Sequence, residues 1–199
     1  SSGAQIQPKT DSGLTPRQWA SMNSAAEAEG LLTPKVVPPA PASVLGDAIL
    51  HTNLVQVDKI LARAGTGDVN SVIAGGITPL HLAAALDQKA TVGMLAAKGA
   101  NLEARTTAGF TPLHWAAGKD ALGAATTLVR LGADMNAQAD KGITPLHWAA
   151  GKHATNVVRL LIQSGADVQA KTESGLTPLH WASMNHAFEV ETMLSFKIV

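Results

Sequence analysis

Four histidines, His81, His114, His147 and His180, are equally spaced along the chain. An imidazole can be a base, a metal ligand or a two-ended hydrogen-bond bridge. A zinc pair on one helix needs an i, i+4 spacing, which no two of these four have. Cys is absent, which excludes thiolate metal sites, Cys nucleophiles and a disulfide framework. There is no Gly-x-Ser-x-Gly elbow, phosphate loop, His-Glu-x-x-His or dinucleotide fingerprint. Gly65-Thr66-Gly67 is too short to cradle a nucleotide. Glu189 and Glu191 lie two apart on an expected helix, so their carboxylates face different directions. The expectation is no catalytic residue, no metal site and no cofactor.

The elements around the histidines repeat with them. Thr-Pro-Leu-His begins at Thr78, Thr111, Thr144 and Thr177, and a Gly precedes each Thr by two residues at Gly76, Gly109, Gly142 and Gly175. A second phase follows at Gly99-Ala100-Asn101, Gly132-Ala133-Asp134 and Gly165-Ala166-Asp167. Thr caps a helix and Pro fits its first turn, where the missing N–H costs nothing. Leu146, Ala149 and Ala150 then form a small-residue apolar stripe. Val157, Val158, Leu160, Leu161 and Ile162 mark a second helix that ends at Gly165, a residue suited to a left-handed terminus. Asp140-Lys141-Gly142 is a turn signal. One such unit cannot bury both of its faces, so units must stack.

These motifs identify the chain as similar to the ankyrin repeat family over about residues 43–199. The resemblance implies an α-helical repeat solenoid of helix–turn–helix units with projecting β-hairpin turns. It implies a protein-binding scaffold that is rarely catalytic, and a structural hydrogen-bonding role for the repeat His near the Thr-Pro turn. Residues 43–69 read as a degenerate capping unit, followed by repeats 70–102, 103–135, 136–168 and 169–199. His153 and His186 read as residues of the turn between helices.

Trp115, Trp148 and Trp181 occupy one repeat position, which the resemblance places towards the concave, inner-helix side. Two readings stand: an indole ladder for partner contact, or packing between repeats. Lys119 and Lys152 share another position. With Arg105, Lys141 and Lys171 they form a weak basic stripe, interrupted by Asp120, Asp140 and Glu173. The hairpin pairs Ala74-Gly75, Thr107-Ala108, Asp140-Lys141 and Glu173-Ser174 vary as a contact surface would. The residues before them, Ile73, Thr106, Ala139 and Thr172, depart from the family's usual Asp and leave the turn bonding open.

Of the 199 residues, 46% are hydrophobic, and 15 Lys+Arg balance 15 Asp+Glu. That content suits a core, and zero net charge argues against a general polyanion binder, so no nucleic acid is expected. No apolar run approaches transmembrane length, and a soluble chain of unknown compartment is expected. A start at Ser1 fits a processed precursor or a tag remnant.

Residues 1–42 read as an N-terminal arm with a Pro-rich linker. Gln7 to Leu32 matches Gln169 to Leu194 at 17 of 26 positions, at an offset that is not a whole number of repeats. It is a decayed repeat or an arm that docks. The last helix carries Phe196, Ile198 and Val199, apolar surface that marks either a truncation or a contact with a partner or with the arm. The function expected is a protein-binding scaffold acting through hairpin tips and the concave inner-helix face. The alternative is a permanent subunit of a larger assembly, docked through the arm and the C-terminal helix.

Overall fold

The computed structural model describes residues 44–63 and 69–197. The arm, the linker, Ile198 and Val199 lie outside the described residues. Among those described there are ten α-helices in five antiparallel pairs. These are α1 (Val44–Leu50) with α2 (Leu54–Arg63), α3 (Pro79–Ala85) with α4 (Lys89–Ala97), and α5 (Pro112–Gly118) with α6 (Leu122–Arg130). The last two pairs are α7 (Pro145–Gly151) with α8 (Thr155–Gln163) and α9 (Pro178–Met184) with α10 (Phe188–Lys197).

The odd-numbered helices form an inner row and the even-numbered ones an outer row, each packing on the next of its own row. A seven-residue helix is too short to persist alone, so packing must hold it. The inner helices achieve this with alanine: Ala83, Ala84, Ala116, Ala117, Ala149 and Ala150 are fully buried. Having almost no side chain, they let the inner row approach closely. The outer helices bury an i, i+4 stripe, as in Val57/Leu61, Ala124/Leu128, Val157/Leu161 and Val190/Leu194.

The turns between pairs contain no β-strand among the described residues, where β-hairpins were expected. Within each turn a single backbone bond closes the chain, from the N–H of Ile73, Thr106, Ala139 and Thr172 to the carbonyls of Ile77, Phe110, Ile143 and Leu176, and one bond makes no ladder. Each turn meets the next through one backbone bond: Thr107 N–H to Gly75 O (2.9 Å), Asp140 N–H to Ala108 O (3.1 Å) and Glu173 N–H to Lys141 O (2.9 Å). Turn shape follows the residue at the start. Thr106 and Thr172 use Oγ1 to accept from the N–H of Phe110 and Leu176, both at 3.1 Å. Ile73 and Ala139 have no such acceptor, and there the chain tightens into 3-10 turns at Ala74–Gly76 and Asp140–Gly142.

The turns inside each pair carry non-glycine residues at left-handed φ: Thr52 (54°), Asp87 (54°), Asp120 (52°), His153 (59°) and His186 (58°). Two of these positions have a clear compensation. Asp87 Oδ1 accepts from Ala124 N–H at 2.7 Å, and Asp120 Oδ1 from Val157 N–H at 2.9 Å. Those N–H groups belong to the third residues of α6 and α8, whose own N-cap residues are alanines without a capping side chain. The missing cap is thus supplied by the preceding pair. Asn156 Nδ2 adds a bond to Asp120 Oδ2 at 2.7 Å.

His153 occupies the equivalent place facing α10 and makes no such bond to Val190 N–H among the described contacts. A carboxylate there would cap α10, and capping is worth about 1 kcal/mol. His153→Asp is therefore expected to raise stability by about 0.5–1 kcal/mol, and Asp120→Gly to lower it by about 1 kcal/mol. Urea unfolding of the two variants checks both signs.

Candidate functional site

Three of the four repeat histidines, His81, His114 and His147, each span two pairs of helices. Thr78, Thr111 and Thr144 donate their backbone N–H to Nδ1 of His81, His114 and His147 at 3.1, 3.2 and 3.2 Å. An N–H donor fixes Nδ1 as an acceptor, so the ring proton lies on Nε2. Nε2–H then donates to the carbonyls of Phe110, Ile143 and Leu176, each at 3.0 Å. Those carbonyls belong to the turn that precedes the next inner helix. Phe110, Ile143 and Leu176 are themselves buried, so they seat the turn as well as presenting its carbonyl.

A second proton on Nδ1 would face the Thr N–H, donor against donor. Burial adds to this cost, pushing His81 and His147 down to about 4 and His114 to about 3 from an ordinary 6.5. Desolvation is the leading cause, partly offset by the bonds to backbone carbonyls. His180 has the same Thr177 partner at its Nδ1 but is exposed.

The three indoles lie inside the stack rather than on an open face. Trp115, Trp148 and Trp181 are 9%, 9% and 4% exposed, which fits the packing reading of the two that the sequence left open. Trp115 sits edge-on to His81 (5.7 Å between centroids) and Trp181 edge-on to His147 (5.8 Å). Trp148 lies 4.9 Å from Phe110 and 6.4 Å from Trp181. Two glycines make room for them. A Cβ on Gly118 would fall 2.3 Å from Trp148 Nε1, and one on Gly151 would fall 2.9 Å from Trp181 Cε3. The sequence reading missed these sockets. Their signal is a glycine closing the inner helix of the repeat that precedes each of these Trp residues.

The charged candidates are exposed. Lys119 and Lys152 cap the C-termini of α5 and α7, where cations complement the helix dipole. Lys152 Nζ lies 5.5 Å from the Trp148 ring centroid. Arg105 Nη1 donates to Gln138 O at 2.6 Å and Gly109 O at 3.3 Å, tying two turns together. Lys141 and Glu173 form a solvated ion pair at 3.8 Å. Asp140 and Lys171 are exposed in the same set of turns. At the far end Phe188 and Phe196 are also exposed, while Val190 and Leu194 are buried.

Among the described residues no cluster of His, Asp and Glu could hold a metal ion. No helix among them is long and apolar enough to cross a membrane.

Antiparallel helix pairs, linked by Thr-capped turns and evenly spaced histidine bridges, define a helical repeat solenoid. The sequence profile for ankyrin repeats in three copies matches residues 45–139 and 122–197, and the chain belongs to that family. Ankyrin repeats are generally protein–protein interaction modules and typically non-catalytic. No curated protein matches the chain.

Two outcomes follow from this geometry. Each buried histidine stays neutral in the fold but takes up a proton near pH 6.5 when unfolded. Stability is then full above pH 6.5 and is lost as pH falls from 6.5 towards about 4, with a slope of about 3–4 kcal/mol per pH unit near pH 5. A urea midpoint that stays flat between pH 7 and 5 would show that the rings protonate in place. For the indole sockets, Trp148→Ala should cost about 3–5 kcal/mol. Gly118→Ala should destabilise the native chain but be neutral or favourable in the Trp148→Ala background, since Ala is about 1 kcal/mol better than Gly in a helix. A double-mutant cycle by chemical denaturation measures the coupling.

Proposed function

We propose that this chain is a non-enzymatic protein-binding scaffold that engages its partner through the turn tips and the inner-helix face. In this reading residues 43–69 form the capping unit and 70–102, 103–135, 136–168 and 169–199 the four repeats. The observation that carries it is the division of labour between side chains. His81, His114 and His147, the indoles and the two capping aspartates are committed to joining repeats. Leu86, Thr107, Lys119, Asp140, Lys141, Lys152, Lys171 and Glu173 stand exposed on turns and helix ends held by those bonds. A preformed surface loses little ordering entropy on binding, which is the physical advantage of such a scaffold. The buried indoles contribute by setting the spacing between repeats.

The second reading, a permanent subunit of an assembly, rests on Phe188 and Phe196, which are 72% and 81% exposed on α10. A photo-crosslinking side chain placed in turn at Leu86, Thr107, Leu122 and Phe196 separates the two. Crosslinks in an extract of the native cells are expected from Leu86 and Thr107. Crosslinks from Phe196 alone would favour the subunit, and crosslinks from Leu122 alone would place the partner on the outer row.

A further inference from the structure

Acidic and basic groups on the turns and the inner-helix ends differ in how far the fold has already used them. Asp87 and Asp120 point their carboxylates at the N-termini of α6 and α8, where backbone N–H groups and the helix dipole compensate them. Glu173 is paired with Lys141. Asp140 is exposed and makes no ion pair among the described residues. The amines of Lys119, Lys152 and Lys171 have no carboxylate within ion-pairing distance among the described residues. Lys152 is held over the Trp148 ring, which keeps its charge at the rim without neutralising it. This surface therefore offers positive charge to a partner, although the whole chain is neutral.

The amines are also placed in register. Leu86, Lys119 and Lys152 are the C-cap residues of α3, α5 and α7, which pack side by side. Neighbouring helix axes lie about 8–10 Å apart. An extended chain of the polyproline II type turns once every three residues and advances about 3.1 Å per residue, so every third side chain lies on one face at that step, roughly 9 Å.

We infer that the inner-helix face binds an extended acidic segment of a partner protein. Two carboxylates three residues apart lie over Lys119 and Lys152, and an apolar side chain three residues further on lies over Leu86. This rests on the reading of that face as the binding surface and adds the chemistry of what it takes. A peptide fits better than a nucleic acid, because single-strand binders stack bases on open aromatic rings and here the indoles are buried.

The test uses the full chain and fluorescent twelve-residue peptides carrying Leu-x-x-Glu-x-x-Glu in either direction, followed by anisotropy. The controls are the same peptide with Gln for Glu, one with the acids two residues apart, and a single-stranded oligothymidine. The Glu peptide is expected to bind in one direction, at least tenfold tighter than the Gln peptide or the mis-spaced one. Its affinity should weaken from about 50 to about 200 mM salt. Lys119→Gln with Lys152→Gln should cost at least tenfold, whereas Lys89→Gln with Lys98→Gln on the exposed outer surface should cost nothing. Circular dichroism of both double variants verifies that the fold is kept. Equal binding of the Glu and Gln peptides, equal loss in both double variants, or tighter binding of the oligothymidine overturns the inference. If it fails while Leu86 and Thr107 still crosslink a partner, the binding face stands and only its chemistry is wrong. If those crosslinks are absent, the scaffold reading fails first.

Discussion

The stack depends on a neutral imidazole that can accept at one nitrogen and donate at the other. Nδ1 takes the N–H at the start of its own inner helix, and Nε2 gives its proton to the carbonyl that introduces the next one. One side chain therefore caps the start of its own helix and fixes the position of the following repeat. A glutamine could reach in one direction, but its amide lacks the rigid opposed geometry of the ring. A protonated histidine would lose the acceptor. Each bridge is fully buried, so leaving either end unmade would forfeit a desolvated hydrogen bond.

Three further sets of bonds run parallel to this one. The turn backbones pair singly, and the capping aspartates reach forward to the next outer helix. Near the outer helix ends, Asn70, Glu103 and Asn136 accept from the N–H of Asn101, Asp134 and Asp167 at 2.8, 2.8 and 2.9 Å. Packing joins the repeats between these lines of bonds, with each glycine socket filled by the indole of its successor. Polar and apolar contacts therefore enforce the same spacing, which is the agreement between levels that a specific fold requires.

The period, the Thr caps, the inner Ala stripe and the left-handed Gly165 (92°) could be read directly, because each is a local signal or a copy of one. The depth of the indoles could not. Trp148 after His147 looks the same whether it lies open or packed, and what decides is Gly118, in the inner helix of the preceding repeat. The forward caps were hidden for a similar reason. Asp120 reads only as an interruption of the basic stripe until its partner, Val157, is brought beside it by stacking. The basic stripe was visible as composition. What it lacked was knowledge of which carboxylates were already engaged, and that is a property of the assembled repeats.

The receiving end of the histidine bridge has a consequence for how such a chain can grow. Phe110, Ile143 and Leu176 accept the same bond although their side chains differ, because a backbone carbonyl takes it. The forward caps and the outer bonds likewise address backbone N–H groups. Each repeat thus greets its successor through atoms every residue carries. A duplicated segment would already possess a compatible interface at both ends, while its exposed positions remained free to diverge. The grammar of joining is separate from the vocabulary of the surface, so copying and specialisation can proceed independently.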